Sequence, residues 1–287
     1  MSDLLYFIGK EDHSSKRLAE ILEENKNIKF VSLMGVDLGG NSTDEKIPVK
    51  LFLEDIDSFL NSTIQTDGSS VELYEIATLN NAKVDLMSDI DATWFVDYNY
   101  DFIDEKTKKP VGTIKIPAFL VHDNKMVCSR ATLLRAESHF KESIKKIIKE
   151  NPDILKNTDI TKPEDIESID LTVATELEFW VNTPEDKADL EKLFVSQSLK
   201  EQYWKRTHGV IRTCLESCLL ELEKYGLNPE MGHKEVGGIH SSINNEGSTN
   251  HAMEQLEISW RFSTPLQATD NEILVRELVY DIFESHG

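Results

Sequence analysis

Four glutamates carry the first sign of chemistry. Glu176 and Glu178 alternate in the stretch ATELEFWVN, so an extended strand places them on one face and Leu177, Phe179 and Val181 on the other. Two strand rises put their Cα atoms roughly 7 Å apart, and carboxylates that close repel each other and lose hydration if buried. Glu235 stands in MGHKEVGG, among glycines that permit close backbone approach. Glu257 stands in EQLEISWRF, where Gln255, Glu257, Ser259 and Arg261 share one face and Leu256, Ile258, Trp260 and Phe262 the other. Hard carboxylate oxygens with a histidine nearby suit Mg²⁺ or Mn²⁺ better than zinc. Four carboxylates carry more charge than one divalent ion neutralises, which points to two ions. The blander alternative is that Glu-x-Glu is a solvated strand face and His-Lys-Glu between glycines an ordinary loop.

The elements that must position these residues follow from periodicity. SSKRLAEILEEN (14–25) reads as an amphipathic helix with a serine at its start, and IKFVSLMGVDLGG as a strand ended by Gly39 and Gly40. EKIPVKLFL reads as extended and EDIDSFLN as a short helix. KVDLMSD, ATWFVDYNY and GTIKIPAFLVHD read as strands, the last two joined by the charged turn DEKTKKP. Ser129 to Glu150 carries a helical stripe of Leu133, Leu134, Phe140, Ile144 and Ile147. NPDILKNTDITKPEDIESID reads as a surface connection before the Glu-x-Glu strand. A mostly helical segment follows, interrupted around KRTHG and stopped at Gly226. Extended chain from Pro229 to about Ile243, a turn at NNEGS, a strand in AMEQLEISWRF and a closing helix in DNEILVRELVYDIFESHG complete the pattern. The class is α+β, with antiparallel pairing expected where strands follow closely.

Composition narrows the function classes. The 287 residues hold 52 acidic against 31 basic side chains, a net charge of -21, which argues against nucleic acid and anionic membranes as partners. Hydrophobic residues at 39% are enough for a core. No apolar run suggests a membrane span, and the start MSDLLYFIGKEDHSSKRLAEIL has no signal pattern. Cys128, Cys214 and Cys218 do not make a disulfide framework, and Cys214 and Cys218, one helical turn apart without His or Cys partners, read as apolar helix residues. The expected compartment is the reducing cytoplasm.

In order along the chain, DGSS at Asp67 to Ser70, TELEFWV, the helix HGVIRTCLESCLLELEKYGL, GHKEV, EQLEISWRF and ATDNEILVRELVYDIFESHG resemble the glutamine synthetase family. The resemblance implies a small N-terminal β-grasp-like domain (1–125), followed by the first half of a glutamine synthetase-type catalytic domain (126–287) with an antiparallel sheet and helices. It implies ligation of ammonia to glutamate through γ-glutamyl phosphate, with ATP as co-substrate and Mg²⁺ or Mn²⁺ as cofactor. Glu178, Glu235 and Glu257 would bind the metal nearer the glutamate, and Glu176 would help bind the one on the ATP phosphates. Glu230 and Phe262 match positions that contact the nucleotide, and His233 one near the transferred phosphate. Asp67 matches the aspartate lent to a neighbouring subunit's site, where it helps bind and deprotonate ammonium, so the resemblance also implies a ring-type homo-oligomer.

The match departs from the family at several points. After DGSS the region NNAKVDLMSD places Lys83 near the position of an expected acid. The path between Glu235 and Glu257, through GGIHSSINNEGSTNHAM, is long and suggests a hairpin excursion. The sequence stops at FESHG, where the family continues into a glycine-rich loop, a histidine ligand and phosphate-binding arginines. The expectation is therefore an N-terminal portion, inactive by itself. Ligation of glutamate to another amine, and a non-catalytic binding or regulatory protein, stand as alternatives.

Overall fold

The computed structural model describes residues 4–76, 83–183, 203–243 and 249–287. The chain divides into two compact units, the first running to Leu171 with Pro265–Gln267, the second comprising Thr172–Thr264 and Ala268–Gly287. Helix Ser129–Glu150 and the connection after it therefore cluster with the first unit, beyond the expected division at residues 125 and 126.

The first unit is built on a mixed eight-stranded sheet. Its strands are β1 (Phe7–Ile8), β2 (Ile28–Gly35), β3 (Ile47–Pro48), β4 (Thr63–Asp67), β5 (Lys83–Ser88), β6 (Trp94–Ile103), β7 (Pro110–His122) and β8 (Lys125–Met126). The central strand is β7, a thirteen-residue run buried from Val111 onward. A strand covered on both faces reads as a continuous apolar run, as PVGTIKIPAFLVH does. It pairs parallel with β2 and antiparallel with β5, β6 and β8. The parallel pair joins strands that do not follow closely in sequence: β3, β4, β5 and β6 lie between them, and parallel neighbours need such a crossover.

Helix α1 (Ser15–Glu24) starts where Ser14 Oγ accepts the Arg17 amide at 3.3 Å, and it buries Leu18, Ile21 and Leu22. These pack in one core with Val31, Leu33, Trp94, Ile114, Ile116 and Leu120. EKIPVKLFL is not extended throughout. Only Ile47–Pro48 pairs with β2, and Val49–Glu54 forms helix α2. The reason is tertiary: one helical turn puts Phe52 fully into the core, its ring 5.0 Å from Phe59 on α3 (Ile56–Asn61). Strand β4 was not expected from STIQTD. It exists because β5 supplies a complete antiparallel register from Thr63↔Met87 to Asp67↔Lys83. Helix α4 (Ser129–Glu150) follows and buries Arg130, whose guanidinium donates to Asp89 at 2.8 Å and stacks over Phe119.

The second unit is a three-stranded antiparallel sheet in the order β10 (Pro229–Ile243), β11 (Thr249–Trp260), β9 (Glu176–Thr183). Leu177, Leu256, Ile258 and Trp260 are buried, as alternation requires. Helix α5 (Gly209–Lys224) contributes Ile211, Cys214, Leu215, Cys218 and Leu222 to the core, and α6 (Pro265–His286) contributes Leu274, Val275 and Val279. The Phe179 and Phe283 rings meet edge to face at 5.4 Å. Gly232 lets β10 approach α5: a Cβ there would lie 3.1 Å from Leu215 Cδ1. The cysteines are all free and buried, and burial pushes the Cys218 thiol up to about 12, in keeping with core residues rather than nucleophiles. The turn at NNEGS and the segment 184–202, expected to be mostly helical, lie outside the described residues. No helix among the described residues is long and apolar enough to cross a membrane.

Candidate metal centre

The register of the second sheet decides which acidic side chains meet. β11 lies between the other two strands, with Glu257 opposite Glu178 on one side and opposite His233 on the other. Directly opposed residues share a face, so these three project together. Two residues along, Glu176 lies opposite Ser259. On β10 the pairing runs regularly to Lys234↔Leu256, then shifts before resuming at Ile239↔Glu254. Glu235 is the first residue of that irregularity, immediately before the glycine-bearing VGG stretch. A bulge of this kind re-aims a side chain beside a site.

As a result His233, Glu235 and Glu257 each offer a donor atom, and these atoms all lie within 4.8 Å of one another. His233 Nε2 is 3.7 Å from Glu257 Oε1, and its Nδ1 is 3.9 Å from Glu235 Oε2. All three side chains are only 12% exposed. The tautomer of His233 follows from chemistry: its Nδ1 lies 3.0 Å from the Lys234 carbonyl oxygen, which can only accept. Nδ1 therefore carries the proton and Nε2 keeps a lone pair facing Glu257.

The electrostatics of the group are unfavourable without a cation. Burial, together with a carboxyl–carboxyl contact to Glu235, pushes Glu257 up to about 7; Glu176 adds to this and His233 opposes it. Glu235 Oε2 is buried and has no hydrogen-bond partner among the described residues. A buried acceptor without a partner is costly, and a divalent cation satisfies it. The donor set of two carboxylates and one neutral imidazole nitrogen therefore fits Mg²⁺ or Mn²⁺.

The other expected ligands stand nearby but apart from this group. Glu178 is exposed, and its Oε2 accepts from Gln255 Nε2 at 3.0 Å. Glu176 is exposed and acts on Glu257 through its charge. His233, expected near a transferred phosphate, stands with Glu235 and Glu257. Glu230 is exposed at the irregularity between Pro229↔Trp260 and Met231↔Ser259. Phe262 follows the end of β11, half exposed, with the Arg261 guanidinium 5.5 Å from its ring centre.

Asp67 lies in the first unit, at the end of β4. Its carboxylate accepts the Ser69 amide at 2.9 Å and hydroxyl at 2.7 Å, and these bonds hold its pKa below the usual value. Lys83 stands directly opposite Asp67 in the β4–β5 ladder. Both line a cavity of about 980 Å³ with Asp37, Asp44, Glu45 and Thr66. The lysine that departs from the family pattern is thus the cross-strand neighbour of the aspartate that follows it.

Two aromatic residues without a motif to mark them also stand at the site: the Tyr203 and Trp204 rings lie 5.3 and 5.9 Å from that of His233. The aromatic pair in EQYWKRTHG is the signal for them, set at the end of a stretch whose pattern is mostly helical.

No protein-family model and no curated protein matches the sequence. Solved structures do match in fold. A GmaS–ADP complex superposes with a TM-score of 0.59 at 14% identity, over 94% of this chain and 50% of that one. The Plasmodium falciparum glutamine synthetase gives 0.57 at 16% identity, over 95% and 49%. A novel glutamine synthase homolog gives 0.51 at 15% identity, over 91% and 50%. The chain thus spans about half the length of the structures it matches, and over that span it has the glutamine synthetase fold.

Proposed function

We propose that this chain is the first half of a carboxylate–amine ligase site that joins ammonia to the side-chain carboxylate of glutamate through γ-glutamyl phosphate, at the expense of ATP. The observation that carries the reading is the convergence of His233, Glu235 and Glu257 on one face of the sheet, within a fold shared with glutamine synthetases. A divalent cation held by these three residues would supply positive charge to phosphate and carboxylate oxygens. The Lys234 carbonyl fixes the imidazole so that Nε2 faces the site, and Gln255 holds the Glu178 carboxylate beside it. Glu176 keeps the face anionic at its other end. Asp67, kept ionised by the Ser69 hydroxyl and amide, offers a negative group that would attract ammonium. A site shared between subunits, as the resemblance implies, would make the active form a homo-oligomer.

Two measurements test this. Calorimetric titration with Mn²⁺ should give a binding isotherm that Glu235→Gln and Glu257→Gln each weaken strongly; unchanged isotherms would remove the metal centre. The intact gene product should then release ADP from ATP only when glutamate and ammonium are both present. Absence of turnover with metal bound would sink the ammonia assignment.

A further inference from the structure

His233 also lines a chemically different cavity of about 570 Å³, walled by Trp204, Lys205, Arg206, Thr207 and Arg212. The setting is unusual for this chain, where acidic residues outnumber basic ones by 52 to 31. Among the described residues of its wall are three cations and one acidic residue, Glu216, which Arg212 already takes at 2.7 Å. Lys205 and Arg206 are exposed and make no ion pair among the described residues.

The backbone here is held in a costly shape. Trp204 has φ +56°, a left-handed conformation that costs a bulky residue roughly 1–2 kcal/mol. What holds it is the Lys234 carbonyl, which accepts the Trp204 amide at 3.1 Å and also the His233 Nδ1 proton. One carbonyl oxygen therefore orients both the candidate ligand histidine and the aromatic wall of the cavity. Trp204 stacks on Tyr203 at 5.3 Å, and its ring remains largely solvent-exposed. The cavity also sits at the start of α5, the end of a helix that carries positive partial charge, where His208 supplies no side-chain cap.

We infer that this cavity is an oxyanion-binding subsite, in which Lys205 and Arg206 hold the phosphate or carboxylate head of a small molecule and Trp204 packs against its body. Strain maintained at an aromatic residue, uncompensated cations and an open concave wall are the ingredients of ligand binding. Lysine can hold an anion as a point charge, and arginine can engage two of its oxygens at once. The subsite depends on neither the metal nor the ligase reading.

The test is titration of this 287-residue chain, with EDTA present, by two probes: inorganic pyrophosphate and L-glutamate. At least one should bind and perturb the fluorescence of Trp204, a change lost in Trp204→Phe. Preference between the probes separates phosphate from carboxylate as the recognised head. The pair Lys205→Ala with Arg206→Ala should weaken binding about tenfold or more, equivalent to about 1.4 kcal/mol. The pair Lys145→Ala with Lys149→Ala on α4 alters net charge equally and should leave binding unchanged. If neither probe binds, or if both double variants behave alike, the subsite is overturned. Because metal is absent, that result leaves the Mn²⁺ titration of the other site to be judged on its own.

Discussion

His233 Nε2 faces Glu257 Oε1 at 3.7 Å across the β10–β11 ladder, with Glu235 completing the group from an irregularity on the same strand. This relationship turns two acidic strand faces into a candidate metal centre. His233→Ala should therefore weaken Mn²⁺ binding by about tenfold or more, roughly 1.4 kcal/mol. Glu223→Ala, which removes an exposed carboxylate on α5 outside the cluster, should leave the calorimetric isotherm as it is. Equal affinities for wild type and His233→Ala would remove the imidazole from the ligand set.

The same cluster sets a pH dependence. Glu257 titrates at about 7 because of burial and its carboxylate neighbours, and only its charged form is a good ligand. Mn²⁺ affinity should rise as pH increases through about 7 and level off above it. In Glu257→Gln the remaining affinity should lack this step. A flat profile for wild type would mean that Glu257 is not a ligand.

In the first unit, Asp44 is held down to about 2 although burial opposes its charge, because Lys115 donates to it at 2.8 Å, assisted by Lys46 and Ser32. Its folded pKa is below the unfolded value of about 3.9, so its contribution is complete above that value and is lost as pH falls through about 2. Asp44 is nearly half exposed, so solvent screens the pair, and Asp44→Asn should cost about 1 kcal/mol at neutral pH. The difference in urea midpoint between wild type and variant should shrink to nothing at the acid end.

Arg130 and Asp89 are a different case, both nearly buried and 2.8 Å apart. Asp89→Ala leaves the guanidinium without its carboxylate and should cost roughly 3–5 kcal/mol. Asp89 also receives the Trp94 indole proton on its backbone carbonyl, a bond that the substitution retains. A loss below that of an exposed ion pair, measured by urea denaturation, would contradict the burial argument.

Gly112 marks a packing limit in the central strand. A Cβ there would lie 2.9 Å from Tyr98 Cε1 and 3.0 Å from Val96 Cγ1. Tyr98 cannot swing aside freely, since its hydroxyl donates to the Leu5 carbonyl at 2.7 Å. Gly112→Ala should therefore destabilise the protein by roughly 1–3 kcal/mol, read as a lower thermal midpoint.

Strand alternation was enough, from the amino acids alone, to place Glu176 with Glu178 and Leu177 with Phe179 on opposite faces. Side-chain direction within one strand is a local property, so such assignments survive folding. The helical stripe of α1, the long β7 and the order of the motifs were legible for the same reason; α4 is a helix as its periodicity predicts, but Phe140 and Ile147 of its stripe are exposed and its buried residues are Arg130 and Ala131. Local rules did not reveal the helix at Val49–Glu54, the strand at Thr63–Asp67 or the parallel β2–β7 pair, because each depends on a partner distant in sequence. The candidate site divides in the same way. The residue types and their faces could be read from the chain, but the pairing of β10 with β11 decided that His233 and Glu235 meet Glu257, while Glu178 takes Gln255. Register and bulges are set by the balance of hydrogen bonds and burial across strands, and that balance exists only in the folded sheet.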